Sequence, residues 1–151
     1  MSIKNIAFVF ILFFLSFSSN AQIERNDMVV GSSFTIHSKI MNDNREIQVF
    51  LPVSYTTSNK RYPVLYILDG QRYFLHGVSL QKSFVEFRQA SQFIVVGISK
   101  KKSERNRNFS VHSKKFLEFL KKETIDFMDQ KFRTSKERLL FGWAYGGGFV
   151  I

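Results

Sequence analysis

The sequence predicts an α/β fold in which a mostly parallel sheet is flanked by helices. Three observations carry this. The runs "VLYIL" at residues 64–68, "FIVVGIS" at 93–99 and "RLLFGW" at 138–143 are apolar without alternation, as strands covered on both faces are. The segments between them have helical spacing. The order strand, helix, strand, helix, strand then implies a parallel sheet with helices packed on its faces.

Along the chain, residues 1–21 read as a secretory signal. Lys4 supplies the positive start, residues 6–17 the apolar run, and Ser19 and Ala21 the small residues of a cleavage site. The run is too short to anchor the chain in a membrane, since about 20 residues are needed to cross about 30 Å of hydrocarbon. The expectation is an exported protein, periplasmic or secreted, cleaved near Ala21, with a single domain over residues 22–151. Residues 34–39 and 46–51 alternate apolar and polar, as half-exposed antiparallel strands do. Pro52 ends the second of them, and a polar turn over 54–60 leads to the first buried run. A helix is predicted over 71–89. A second is predicted from Ser113, a candidate N-cap, with Phe116, Leu117, Leu120, Ile125, Phe127, Met128 and Phe132 near one face.

Composition excludes several classes of chemistry. The 151 residues contain no cysteine, so disulfides, thiolate catalysis and thiolate zinc sites are absent. The histidines His37, His76 and His112 are scattered, with no carboxylate cluster beside them, and neither a metal site nor a cofactor is expected. The formal charge is +10. Much of it lies in Lys100, Lys101, Lys102, Arg105 and Arg107, a run that could meet nucleic acid. No aromatic residues interleave these cations for base stacking. The run is therefore read as a solvated loop, and no nucleic-acid partner is expected. Asn108-Phe109-Ser110 fits a glycosylation sequon, which matters only in a host that glycosylates exported proteins.

Ligands of open α/β sheets sit at the carboxyl ends of the strands, and the two sharpest local signals fall there. One is Asp69-Gly70; the other is "GWAYGGG" at residues 142–148. Gly142 to Gly146 has the outline of a nucleophile elbow, a strand-to-helix turn so tight that residues two before and two after its centre have to be small. The centre adopts strained dihedrals costing about 1–3 kcal/mol in a non-glycine residue. A hydrolase tolerates that strain because it aims a serine Oγ at the substrate. Here the centre is Ala144, which keeps the Cβ and lacks the oxygen. No lysine follows for a P-loop, and Gly142-Trp143-Ala144 breaks a dinucleotide fingerprint. On spacing alone, a purely structural turn stays open.

Five stretches together resemble the putative-esterase family of α/β-hydrolases, which includes esterase D, feruloyl esterases, enterochelin esterases and mycolyltransferases. They are "REIQVFLPVSY" from Arg45, "RYPVLYILDGQRYF" from Arg61, "FIVVGIS" from Phe93, "RNRNFS" from Arg105 and "ERLLFGWAYGGGF" from Glu137. The resemblance implies a truncated α/β-hydrolase fold ending just after the elbow, and a small-molecule ester as substrate or ligand. It implies that the backbone N–H groups of Gln71 and Tyr145 form the oxyanion hole, where loss of one donor costs about 10²–10³ in rate. Asp69 and Gly70 would shape the loop carrying Gln71.

The chain departs from the family at Ala144, where the family has serine, and at Asn108, where the family usually has aspartate. The family's acid and histidine follow the nucleophile in chain order, whereas His37, His76 and His112 precede it and are read as surface or loop residues. No esterase turnover is expected of the chain as written. A C-terminal segment is expected to be needed to cover "RLLF", otherwise an unpaired apolar edge. Three readings follow: an exported serine carboxylic-ester hydrolase whose serine was changed, a non-catalytic relative that binds an ester-like ligand, or a decaying gene fragment.

Overall fold

The computed structural model describes residues 24–99 and 108–150. The signal reading at 1–21 and the basic run at 100–107 lie outside them. Five strands form one sheet: β1 (Ser32–Ser38), β2 (Asp43–Phe50), β3 (Tyr62–Leu68), β4 (Ile94–Ile98) and β5 (Thr134–Phe141), in the order β1-β2-β4-β3-β5. The hairpin β1–β2 is antiparallel and joins β4 antiparallel, whereas β3 runs parallel to both β4 and β5. Pro63, which has no N–H to give, sits where the β3–β5 register shifts between Tyr62 and Val64.

Helix α1 (Gly70–Glu86) covers one face of the sheet. It crosses β3 at Gly77, where a Cβ would lie 2.1 Å from Ile67 Cδ1. Its Phe74 and Val78 pack with Phe50, Ile67 and Val95. The opposite face carries the larger core, in which Ile47, Val64, Leu68 and Val96 meet Phe116, Phe119 and Met128. Those three come from α2 (Ser113–Phe119) and α3 (Ile125–Lys131), which are joined by a π turn at Leu120–Thr124. At the carboxyl end of β5 a short helix, α4 (Tyr145–Val150), begins.

Several expectations are corrected. Ser113 is the first helical residue rather than the cap, and no side-chain hydrogen bond caps α2. The apolar face also differs: Phe119 is fully buried, while Leu117 is 40% exposed. The cause is the π turn, whose i→i+5 bonds add a residue to the turn. It keeps Phe116, Leu120, Thr124 and Met128 buried on one face, a spacing that a uniform 3.6-residue period does not follow. The same turn aims Glu123 at the β1–β2 connection, where it accepts the N–H of Lys39 at 2.9 Å and of Ile40 at 3.0 Å, and the hydroxyl of Ser38.

The third apolar run is not a buried strand. Leu139 is 64% and Phe141 41% exposed, although β4 is buried along its whole length. The reason is position: β5 pairs with β3 alone and forms the edge of the sheet. Leu140 packs on the α2 side, while Leu139 and Phe141 face the α1 side, where the Tyr73 ring reaches Phe141 at 6.2 Å.

Tyr66 on β3 is 4% exposed, and its hydroxyl meets no hydrogen-bond partner among the described residues. Burial pushes the phenol from its ordinary value of 10 up to about 12, against the pull of the nearby Arg138 guanidinium. The folded chain thus holds the Tyr66 proton more tightly than the unfolded chain does. That contribution to stability is complete below about pH 10 and is lost as pH rises through about 12. Tyr66→Phe is expected to leave stability at pH 7 unchanged or higher by about 1 kcal/mol. It should also flatten the loss of stability between pH 10 and 12 in urea titrations. An alkaline slope identical to that of the parent would refute this assignment.

Candidate active site

Because β3 and β5 are parallel neighbours, with Leu65 opposite Leu139 and Ile67 opposite Phe141, they release the chain side by side into two strand-to-helix turns. Each turn holds a non-glycine residue in the left-handed region, Asp69 at φ 57 and Ala144 at φ 52. Such a conformation costs about 1–2 kcal/mol per residue. The other left-handed non-glycine residues among those described have ordinary chain-reversing roles. Asn42 turns the β1–β2 hairpin, and Arg88 follows the carboxyl end of α1. Strain of this kind clusters at functional sites, and here two instances meet at adjacent strand ends.

The first turn is held by backbone packing. Asp69 is 1% exposed, and its carbonyl accepts the N–H of Arg72 at 2.8 Å and of Tyr73 at 3.1 Å, which starts α1. At Gly70 a Cβ would lie 2.6 Å from the Gly97 carbonyl carbon and 2.7 Å from the Ile98 nitrogen. The turn therefore rests directly on the main chain of β4. Gln71 follows, exposed, in the first turn of the helix.

The second turn folds back more tightly. A Cβ at Gly142 would sit 2.2 Å from the Gly146 carbonyl oxygen. The Trp143 carbonyl accepts Gly146 N–H and the Ala144 carbonyl accepts Gly148 N–H, each at 3.0 Å. Ala144 stands at the exposed apex and Tyr145 opens α4. The expectation that both flanking glycines have to be small holds for Gly142 alone. At Gly146 a Cβ would find Phe109 Cε2 at 3.4 Å and Leu68 Cβ at 3.7 Å, ordinary contact distances. Gly142 faces helix backbone, which cannot yield, whereas Gly146 faces side chains.

Those same contacts bring the turns together. Gly146 lies over Leu68, the last residue of β3, and the Tyr73 ring of α1 touches Phe141, the last of β5. Asp69, Gly70 and Gln71 thus share one end of the sheet with Gly142, Ala144, Tyr145 and Gly146. The histidines lie exposed elsewhere on the chain: His37 against Asn44 in the hairpin at 2.6 Å, His76 against the Tyr73 ring on α1, and His112 just before α2. Asn108 is 1% exposed, and its Nδ2 makes no hydrogen bond among the described residues. It lines a polar cavity of about 230 Å³ with Arg45, whose guanidinium is held by Asp43 through two 2.6 Å bonds.

Sequence reasoning missed a second cavity, of about 370 Å³, between the start of the sheet and the first turn of α1; it reaches Gln48, Gln71 and Arg72. Gln48 occupies a polar position in the alternation of β2 and so reads as solvent-facing. The only available signal was Gly97, a glycine inside an otherwise β-branched run, which marks a close approach.

A match to the family described as putative esterase spans residues 38–151. The chain belongs to the putative-esterase family. No curated protein matches it. Among solved structures it is similar to an IroE-like serine hydrolase from Shewanella oneidensis, with TM-score 0.74, 26% identity, and coverage of 79% of this chain and 44% of that one. A siderophore hydrolase from Aspergillus nidulans shares the fold at TM-score 0.71 and 17% identity, over 84% of this chain and 53% of that one. So does the enterobactin esterase of Shigella flexneri, solved in the presence of 2,3-dihydroxy-N-benzoyl-serine, at TM-score 0.68 and 14% identity, over 83% and 33%. The chain spans about half or less of the length of these structures. The sheet with flanking helices is the α/β-hydrolase arrangement that these neighbours share.

In this chain the two glycines are expected to respond differently to the same added methyl. Gly142→Ala drives a Cβ into backbone and should cost about 3 kcal/mol or more. Gly146→Ala should be neutral or stabilising by up to about 1 kcal/mol, because alanine is the better helix former. Urea unfolding of both variants distinguishes them, and equal losses would contradict the geometry described.

Proposed function

We propose that the two turns form a carboxylic-ester site of the serine-hydrolase type in which Ala144 occupies the nucleophile position, so that the chain binds esters without forming an acyl-enzyme there. The observation that carries this is the apex itself: Ala144 at φ 52, fixed between a Gly142 that only glycine can fill and the start of α4. Gln71 lies in the first turn of α1 and Tyr145 opens α4, and their backbone N–H groups are the proposed donors to the ester carbonyl oxygen. Such donors stabilise the charge that develops on that oxygen as a tetrahedral centre forms. At residue 144 there is no hydroxyl to attack the carbonyl carbon, so the bond that would make a covalent intermediate has no donor atom. An oxyanion hole alone leaves at most about 10³–10⁴ over water in an otherwise intact enzyme. The ligand class is a small-molecule ester, in keeping with the serine hydrolase, siderophore hydrolase and enterobactin esterase it is similar to. Export of the chain is proposed on the N-terminal segment, and no nucleic-acid role is proposed for its charge.

The test is a nitrophenyl-ester assay on the purified protein. With 4-nitrophenyl butyrate the expected result is no burst of nitrophenolate and turnover close to the uncatalysed rate, together with saturable binding of the same ester. A burst of one equivalent would mean that another residue serves as nucleophile. Absence of any saturable binding would remove the ester site.

A further inference from the structure

We propose that the cavity beside the first turn of α1 is a subsite for a carboxylate carried on an apolar body, with Gln48 as its specificity-determining residue. The proposal deepens the ester-site reading and rests on it for the identity of the rest of the ligand.

Position comes first. The antiparallel pairing of β2 with β4 sets Gln48 opposite Gly97, one residue before Ile98 ends the strand. The backbone of Gly70 lies against that same Gly97–Ile98 segment. The cavity reaches from Gln48 past Gly70 to Gln71, one of the two proposed oxyanion donors. Its volume of about 370 Å³ falls in the range that holds a small organic ligand. Val30, Phe74 and Leu75 supply apolar walls.

Gln48 is held in place rather than left to solvent. A Cβ on residue 97 would lie 2.9 Å from Gln48 Oε1, so the side chain extends over space that only a glycine leaves open. Ser99, 6% exposed, donates its hydroxyl to the same Oε1 at 3.3 Å. With its oxygen engaged, the carboxamide presents Nε2 and two N–H groups. No acceptor meets Nε2 among the described residues. Beside it, Arg72 is the one charged side chain among the described residues lining the cavity. The wall thus offers a cation and an amide donor and no carboxylate. Amide and guanidinium N–H groups together suit the two oxygens of a carboxylate, and the amino end of the 17-residue helix α1 adds positive potential at the same place.

The probes are monomethyl terephthalate, which carries a carboxylate across a ring from a methyl ester; methyl benzoate, which lacks the carboxylate; and terephthalate, which lacks the ester. Calorimetric titration of the purified protein is expected to show monomethyl terephthalate binding about tenfold or more tighter than methyl benzoate. Gln48→Met and Arg72→Gln should each erase that preference while leaving methyl benzoate affinity unchanged, a pattern that a merely structural role for either residue would not give; Arg72→Gln should also leave Tm unchanged, whereas Gln48→Met, which leaves the Ser99 hydroxyl unpaired, should lower it. Equal affinity for the two esters, or a preference that survives both substitutions, would overturn the subsite while the ester site stands. Binding of terephthalate and monomethyl terephthalate alike, both weakened by Gln48→Met, with methyl benzoate unbound, would uphold the cavity as a carboxylate site and sink the ester reading instead. Failure of all three probes to bind would overturn both.

Discussion

The parallel pairing of β3 with β5 is the constraint from which the rest of the site follows. Two strands that run the same way and sit side by side must deliver their outgoing turns to one edge of the sheet. Here both turns are tight and both pass through the left-handed region, at Asp69 and at Ala144. Neither conformation is favourable in isolation, so each must be imposed by what surrounds it. At Asp69 the surroundings are the β4 main chain against Gly70; at Ala144 they are the helix that folds back on Gly142. The site is thus a consequence of backbone packing, with side chains added to it.

Glycines set how closely α1 lies to the sheet, and that closeness shapes the second cavity. Gly77 lets the helix cross Ile67, and Gly97 leaves room for Phe74 on one side and Gln48 on the other. If a side chain stood at 97, Gln48 would be displaced and the apolar wall of Phe74 pushed outward. Bare backbone at Gly97 thus fixes where Gln48 and Phe74, two of the residues lining the space beside Gln71, can lie. On the opposite face Phe116, Phe119 and Met128 are buried in the core, and a polar cavity of about 230 Å³ opens beside Arg45 and Asn108. Most of the core lies on the α2 side of the sheet, and the larger of the two cavities described lies on the α1 side.

Much of this was legible in the sequence, for reasons that differ by element. The runs of β3 and β4 are apolar on both faces, and only a covered central strand has that composition. The Gly142 signal was equally plain, because a close backbone approach admits no other residue. "RLLF" is as apolar as its neighbours, so its composition reads as a covered strand; its exposure follows from its place at the edge of the described sheet, which the expectation of an uncovered apolar edge anticipated. The π turn escaped because local composition does not mark it, and it moved Phe119 onto the buried face and Leu117 off it. Gln48 escaped for the opposite reason. Its place in the alternation of β2 looks ordinary, and its role appears only when Gly97 and Ser99 from another strand are brought beside it.

The conformation of residue 144 can be separated from the chemistry once expected there. The turn is closed by two backbone hydrogen bonds, from Gly146 to the Trp143 carbonyl and from Gly148 to the Ala144 carbonyl. Neither involves the side chain at 144, and the Gly142 approach does not either. Asp69 makes the same point independently: it holds a nearly identical φ at a buried position where it has no attacking role. The left-handed apex is thus a property of a strand running straight into a helix, and a hydroxyl placed on it would be a passenger of that geometry. Replacing serine by alanine at such a point removes one atom without moving the amides on either side. The loss falls on bond formation to the ester carbon, while the backbone that would recognise the carbonyl oxygen is left as it was. The backbone geometry of the apex therefore does not depend on whether residue 144 carries a hydroxyl.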